Sequence, residues 1–309
     1  MNFSIRLTLD KDLFSIAHLD AMAFSEFDQK THSIIPVPPR KIENLQSVLD
    51  LNPKGCFIAE TSKPVGYIFS RIWGNLGWIG VFGVDPEYQK RGIVKALLTN
   101  AVDYLIRSQC KIIGLETRSD KIYNVGLYTC NGFQMNFPTL SLIKQTSHPP
   151  DPLPQSDLKK IGKERALELI SEISKSVMPE LDYASEAKNA IIHRWGEIFF
   201  YGDPDFPAFT IIRSIPKRES LSSPICDIAV LVVQSDFIDN FERILQSIEA
   251  NAYAQDISQI SISVNARNGD TLKRMLDYGF KIDSIALRMT LNRQLVNFLN
   301  GIDLSRWAM

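Results

Sequence analysis

The stretch "HPPDPLPQ", His148 to Gln155, places four prolines in eight positions. Proline has no backbone N–H and its ring fixes φ, so this stretch cannot lie inside a helix or a central strand and reads as extended chain. It stands near the middle of 309 residues, a length for which about two domains is the prior. The chain is therefore read as one domain over residues 1–147, a Pro-rich linker over 148–156, and a second domain over 157–309.

In the first part, "NFSIRLTL" alternates as an edge strand does, and "KDLFSIAHLDAMAF" has helical spacing at Leu13, Ile16, Ala17 and Met22. A loop with Pro36, Pro38 and Pro39 leads to a helix near "KIENLQSVLDL". "GCFIAETSKPVGYIFSRIW" reads as two strands around a Ser-Lys-Pro turn, and "GWIGVFGV" as a further, glycine-rich strand. "VDPEYQKRGIVKALL" then runs from a proline stop into a helix with Val94, Leu97, Leu98, Ala101 and Leu105 on one face. "KIIGLE" is a strand, "YNVGLYTCNGF" a short helix ending in Gly-Phe, and "TLSLIK" a strand.

The second part closes in the same order. "ISQISISVN" reads as a strand, "ARNGDTLKRMLDYGF" as a helix ending in Gly-Phe, and "IDSIALRMTL" as a strand. Upstream, "FPAFTIIRSIP" and "CDIAVLVVQ" read as paired strands, and "DFIDNFERILQSIEANA" as a helix capped by Asp236. Gly132-Phe133 and Gly279-Phe280 lie about one domain length apart, which points to a diverged internal duplication. Against it stands the fact that strand–helix–strand units ending in glycine are common.

The formal net charge of -1 gives no global basic field for nucleic acid or an anionic membrane surface, so any functional positive charge is local. Cys56, Cys110, Cys130 and Cys226 have no CxxC spacing, and His18, His32, His148 and His193 are equally dispersed, so no metal is expected. "MNFSIRLTLDKD" is charged by its sixth residue and no apolar run reaches the ~18 residues of a membrane span, so the expectation is a cytoplasmic chain without a leader.

The local charge sits at the helix start, at Gln89, Lys90, Arg91, Gly92, Ile93, Val94 and Lys95. A helix N-terminus has unpaired N–H groups and the positive end of the dipole, which suits a phosphate. An ordinary solvated first turn explains the charges equally well, but not a glycine that costs a helix about 1 kcal/mol. This stretch resembles the acetyl-coenzyme A signature of the GNAT acetyltransferases, Gln/Arg-x-x-Gly-x-Gly/Ala after a strand and a Val-x-Pro turn, here beginning at Val84. "YNVGLYTCNGF" is similar to the family's second motif, an Asn, then a Tyr, then Gly-Phe. Val94 departs from the family's Gly or Ala, and a branched side chain there stands to crowd a diphosphate.

The resemblance implies an α/β (α+β) fold of two GNAT-like domains, each a mixed, mostly antiparallel sheet flanked by helices. It further implies acetyl transfer from acetyl-CoA to a primary amine by direct attack. Tyr128 would protonate the leaving thiolate, and Asn124, one turn earlier, would contact the cofactor arm. The family's usual strand glutamate is missing from "GWIGVFGV", which leaves Glu116 as a base candidate beside Glu26, Asp28, His32 or a water chain. Cys130 reads as a buried structural thiol. The second part has no such signature, and Met275 stands where Tyr128 would, so it reads as a degenerate copy. The expected partners are an amine acceptor and no nucleic acid or membrane, in a monomer or homodimer. The rival reading is a non-catalytic acyl-CoA-binding or interaction protein; a cradle for another nucleotide lacks GxxxxGK[ST] or GxGxxG in context.

Overall fold

Each strand and helix read from the first part appears in the computed structural model, which describes residues 2–28, 33–214, 216–219, 224–292, 294 and 300–307. The first part contains β1 (Ser4–Leu7), α1 (Leu13–Phe24), β2 (Glu26–Asp28), β3 (Ser33–Ile35), α2 (Ile42–Leu51), β4 (Cys56–Glu60), β5 (Pro64–Trp73) and β6 (Leu76–Val84). It continues with α3 (Ile93–Arg107), β7 (Ile112–Arg118), α4 (Ile122–Cys130), β8 (Phe133–Met135) and β9 (Thr139–Gln145). The second part contains β10 (Gln155–Asp157), α5 (Leu158–Ile161), α6 (Lys163–Val177), α7 (Ala184–His193), β11 (Gly196–Tyr201), β12 (Ala208–Arg213) and β13 (Ile225–Gln234). It ends with α8 (Phe241–Ala254), β14 (Gln259–Asn265), α9 (Gly269–Asp277), β15 (Lys281–Leu291) and β16 (Gly301–Ser305).

The fold is mixed α/β. One sheet runs through both parts in the order β1-β4-β5-β6-β7-β15-β9-β14-β13-β12-β11-β10. Its pairings are antiparallel except β6 with β7 and β13 with β14. At the centre the parts exchange strands: β15 lies between β7 and β9, and β9 lies between β15 and β14. Each part thus completes its sheet with the other's late strand. α3 packs on one face of the first part, over Ile68, Ile79 and Ile113. α1 and α2 pack on the other face with Tyr67, Phe69 and Val81.

The Gly-Phe repeat has a physical basis in both parts. Gly132 and Gly279 sit at φ +87 and +103, just past α4 and α9, where a left-handed residue stops a helix. Phe133 and Phe280 follow into the core. The Pro-rich segment is strapped along α8: the Asp151 N–H donates to Gln246, and the Ser247 hydroxyl donates to the Leu153 carbonyl. The α8 cap differs from expectation. Residues Ser235–Asn240 form a 3-10 turn, so the cap position falls on Asn240 and Asp236 lies in that turn.

The two parallel pairings are both forks. β6 and β7 pair from Leu76↔Ile112 to Ile79↔Leu115 and then separate, although β6 runs to Val84 and β7 to Arg118. β13 and β14 pair only from Ile225↔Gln259 to Asp227↔Ser261. In this second fork β16 pairs antiparallel with β13, from Val230↔Ser305 to Gln234↔Gly301. Among the described residues no strand takes the corresponding place beside β6.

Candidate active site

The first fork has an identifiable cause. Across β5 and β6, Ile68 pairs with Phe82 but Ser70 pairs with Ile79, so Gly80 and Val81 together face Phe69. This is a β-bulge, which bends the strand and takes backbone groups out of the ladder. It lies one residue past Ile79, the last residue of β6 paired with β7. Backbone donors and acceptors of β6 beyond that point face the fork.

At the mouth of the fork β6 ends at Val84. The Asp85 carboxylate accepts from the Glu87 N–H at 3.0 Å and fixes a 3-10 turn over Pro86–Tyr88. Gln89 is extended, and its side-chain amide donates to the Val84 carbonyl at 3.4 Å. Lys90 (φ 60) and Gly92 (φ 82) are both left-handed. Gly92 caps α3, and the first N–H to bond back within the helix is that of Ala96, to the Gly92 carbonyl at 3.0 Å. The N–H groups of Ile93, Val94 and Lys95 therefore lack helical acceptors and point out of the first turn. A Cβ on Gly92 would meet nothing within 4 Å. Backbone conformation and the approach to these N–H groups, rather than crowding, account for glycine here.

Lys90, Arg91 and Lys95 are exposed around this turn. Arg91 and Lys63 flank the Tyr88 ring, at 5.2 and 5.5 Å from its centroid. Val94, which departs from the expected small residue, is half-buried and packs toward the core beneath α3. Its side chain is thus drawn inward and its N–H remains part of the turn.

Tyr128 is 7% exposed, near the end of α4, with its ring edge-on to Phe133 at 6.2 Å. Burial pushes its phenol above the ordinary value, so it holds its proton at neutral pH. Asn124 is half-buried one turn earlier, in the first turn of α4. Met275 is fully buried in the core of the second part.

Glu116 is the first residue of β7 past the fork's last pair. Its carboxylate is held by Arg288 of β15 at 2.8 Å and accepts from the Thr139 hydroxyl at 2.6 Å. The side chains of Arg288 and Glu116 are 3% and 2% exposed, and the Arg288 guanidinium lies 4.0 Å over the Trp307 ring. Glu26 and Asp28 fall on the short strand β2, and His32 lies outside the described residues. Cys130 corrects the expectation of a buried thiol, for it is exposed. It stands two residues past Tyr128, about 200° around the helix, so one side chain faces inward and the other outward.

Three features had no local signal in the sequence. The bulge shows only in the register. The buried Asp20, which bonds Tyr67, Arg40 and Arg218, is assembled from both parts. The same is true of a polar cavity around Arg71 and Arg213.

The scan against family models matches the acetyltransferase (GNAT) family over residues 17–133. Residues 17–133 form a GNAT domain. It spans α1 to Phe133 and so contains the fork, the bulge, the α3 turn and Tyr128. A search of curated proteins found no match. Among solved structures, an assumed acetyltransferase from Pyrococcus horikoshii aligns over 99% of this chain and 95% of its own, with TM-score 0.71 and 18% identity. A GCN5-related N-acetyltransferase from Sphaerobacter thermophilus covers 99% and 98%, with TM-score 0.60 and 11% identity. A tandem GNAT protein from the clavulanic acid biosynthesis pathway covers 96% and 100%, with TM-score 0.61 and 12% identity. At these identities the likeness is one of fold, and it extends over the whole chain beyond the GNAT domain. Among the described residues there is no cluster of metal-ligating side chains, and no helix is long and apolar enough to cross a membrane.

Proposed function

We propose that the chain transfers an acetyl group from acetyl-CoA to a primary amine, and that the working site is the fork of the GNAT domain. The observation that carries this reading is the contrast between the two forks. The first joins a bulge at its base to a left-handed glycine turn at its mouth, whereas the second is filled by β16.

The N–H groups of Ile93, Val94 and Lys95 would hold the diphosphate, with Lys90, Arg91 and Lys95 supplying local positive charge. The edge of β6 beyond Ile79 would bind the extended arm as it would bind an added strand. The donor supplies an activated thioester. Backbone N–H groups released by the Gly80–Val81 bulge would polarise its carbonyl oxygen. Attack by the neutral amine forms the C–N bond and breaks the C–S bond; Tyr128, whose phenol carries its proton at neutral pH, gives that proton to the departing sulfur and regains one from solvent. Glu116 is left out of the proton path because its carboxylate is engaged by Arg288 and Thr139. The amine proton passes to water.

The same commitment of Glu116 favours one rival, an acyl-CoA-binding protein without turnover. Thiol release measured over a panel of amines separates the two. The enzyme reading predicts release that Tyr128→Phe lowers by about 100- to 10,000-fold, the range of general acid catalysis, with the affinity for acetyl-CoA little changed. Cofactor binding without release for any amine supports the rival.

A further inference from the structure

The second part reaches the GNAT domain at a further place, beside the mouth of the fork and on the face of α1 and α2. In the proposed reaction that face is the side left to the acceptor, because α3 and Tyr128 pack on the other. β6 past the bulge is closely backed there. A Cβ on Gly83 would lie 2.9 Å from the Tyr67 ring and 3.0 Å from the Ala23 methyl group. The Tyr67 ring and the last turn of α1 thus lie directly on the free stretch of β6. The Tyr67 hydroxyl donates to Asp20 of α1, whose side chain is fully buried.

Where α1 ends, the chain leaves and returns through a narrow neck. The Ser25 hydroxyl donates to the Ala21 carbonyl at 2.7 Å and accepts from the Val37 N–H at 3.0 Å. The returning side of the neck is held by the second part. The Lys41 N–H donates to the Lys217 carbonyl, and the Glu219 N–H donates to the Pro39 carbonyl, each at 3.0 Å. Between them Arg40 and Arg218 form an antiparallel bridge.

The Arg218 side chain adds three contacts of its own. Its Nη1 donates to the Pro38 carbonyl at 2.8 Å and lies 2.6 Å from Oδ2 of Asp20, and its guanidinium stands 5.6 Å from the centroid of the Phe24 ring. Asp20 already has Arg40 of the GNAT domain, whose Nε lies 3.1 Å from Oδ1, so the carboxylate keeps a counter-charge without Arg218. What Arg218 contributes is placement. One guanidinium fork ties the end of α1, at Asp20 and Phe24, to the returning chain at Pro38, and it touches β6 only through Asp20 and Tyr67.

We propose that Arg218 is a positioning residue for the acceptor: by tying the neck to Asp20 it fixes the wall past which the amine reaches the thioester. The second part, whose own fork is filled by β16, would then act in acceptor binding by the first. This rests on the acetyltransferase reading and adds to it a role for the second part.

The test uses the full chain, acetyl-CoA and whichever amine of the panel gives the fastest thiol release. Arg218→Met is expected to raise the KM for that amine about 10-fold, the low end of what one hydrogen bond to a charged group contributes. The Kd for acetyl-CoA should not change, because the turn at Ile93, Val94 and Lys95 lies outside the neck. The kcat should fall by less than the KM rises. Arg218→Lys should recover part of the loss, since lysine keeps the charge beside Asp20 without the planar fork that also reaches Pro38. If Arg218→Met does not fold, Arg218→Lys carries the comparison, with a smaller rise in KM and the same unchanged Kd. An amine KM unaffected by either substitution overturns the proposal and leaves the acetyltransferase reading intact. So does a loss of acetyl-CoA affinity in step with that for the amine, which would make Arg218 a general support of the fold. Acetyl-CoA binding by the wild type without release for any amine overturns the reading and the proposal together.

Discussion

Replacing Gly92 by alanine separates what the glycine does for the backbone from what it does for a ligand. The residue is left-handed at φ 82, and holding an L-residue there costs about 1–2 kcal/mol. A methyl group would meet no protein atom within 4 Å, so no clash adds to that cost. A chain of this size should therefore lose only a few degrees in Tm. Binding is affected through a different route. The methyl would stand beside the N–H groups of Ile93, Val94 and Lys95, where the diphosphate must approach. Losing one charged hydrogen bond costs about 1.5–3 kcal/mol, or about 10- to 100-fold in Kd. Thermal melts and calorimetric titration with acetyl-CoA, run on Gly92→Ala and the wild type, read the two effects separately. A variant whose Tm falls but whose Kd is unchanged would refute the cradle and leave the glycine as a turn residue only.

Two further outcomes follow from burial. Arg288→Met leaves Glu116 buried without its counter-charge and should destabilise the fold by about 3–5 kcal/mol; adding Glu116→Gln should recover much of that loss in denaturant melts. Alkylation of the native protein followed by mass spectrometry should label Cys130 alone. It is exposed, whereas burial pushes the Cys56, Cys110 and Cys226 thiols up to about 12, 11 and 12.

The turn from Gln89 to Lys95 was legible because its chemistry is local: a proline stop, a cluster of cations and a glycine lie within a few residues. The strands and helices around it were legible for the same reason, since each carries its own period. The exchange of β9 and β15 was not, because it is decided by pairings between residues distant in the chain, such as Ala286↔Thr139 and Val264↔Leu140. That exchange also sets the fate of Glu116: from the sequence it is a carboxylate at a strand end, while its partner Arg288 comes from the other part of the chain. Asp236 missed the cap because the chain first winds into a 3-10 turn, and local preference does not fix where the wider helix begins. The phase of α4 was readable, since Tyr128 and Cys130 two residues apart must face different ways, and applying it would have placed the thiol outside. The bulge and the basic cavity carry no sequence signal, being products of register and of side chains gathered from several elements.

The most direct test of the central claim is the stoichiometry of acetyl-CoA binding to the full chain, measured by calorimetric titration. One site per chain is predicted, because the fork of the GNAT domain joins a bulge to an N–H-lined turn while β16 pairs along β13 in the other fork. That site should be lost or weakened by Gly92→Ala. Two sites would contradict the assignment of the second fork to β16 alone, and no binding would contradict the cradle.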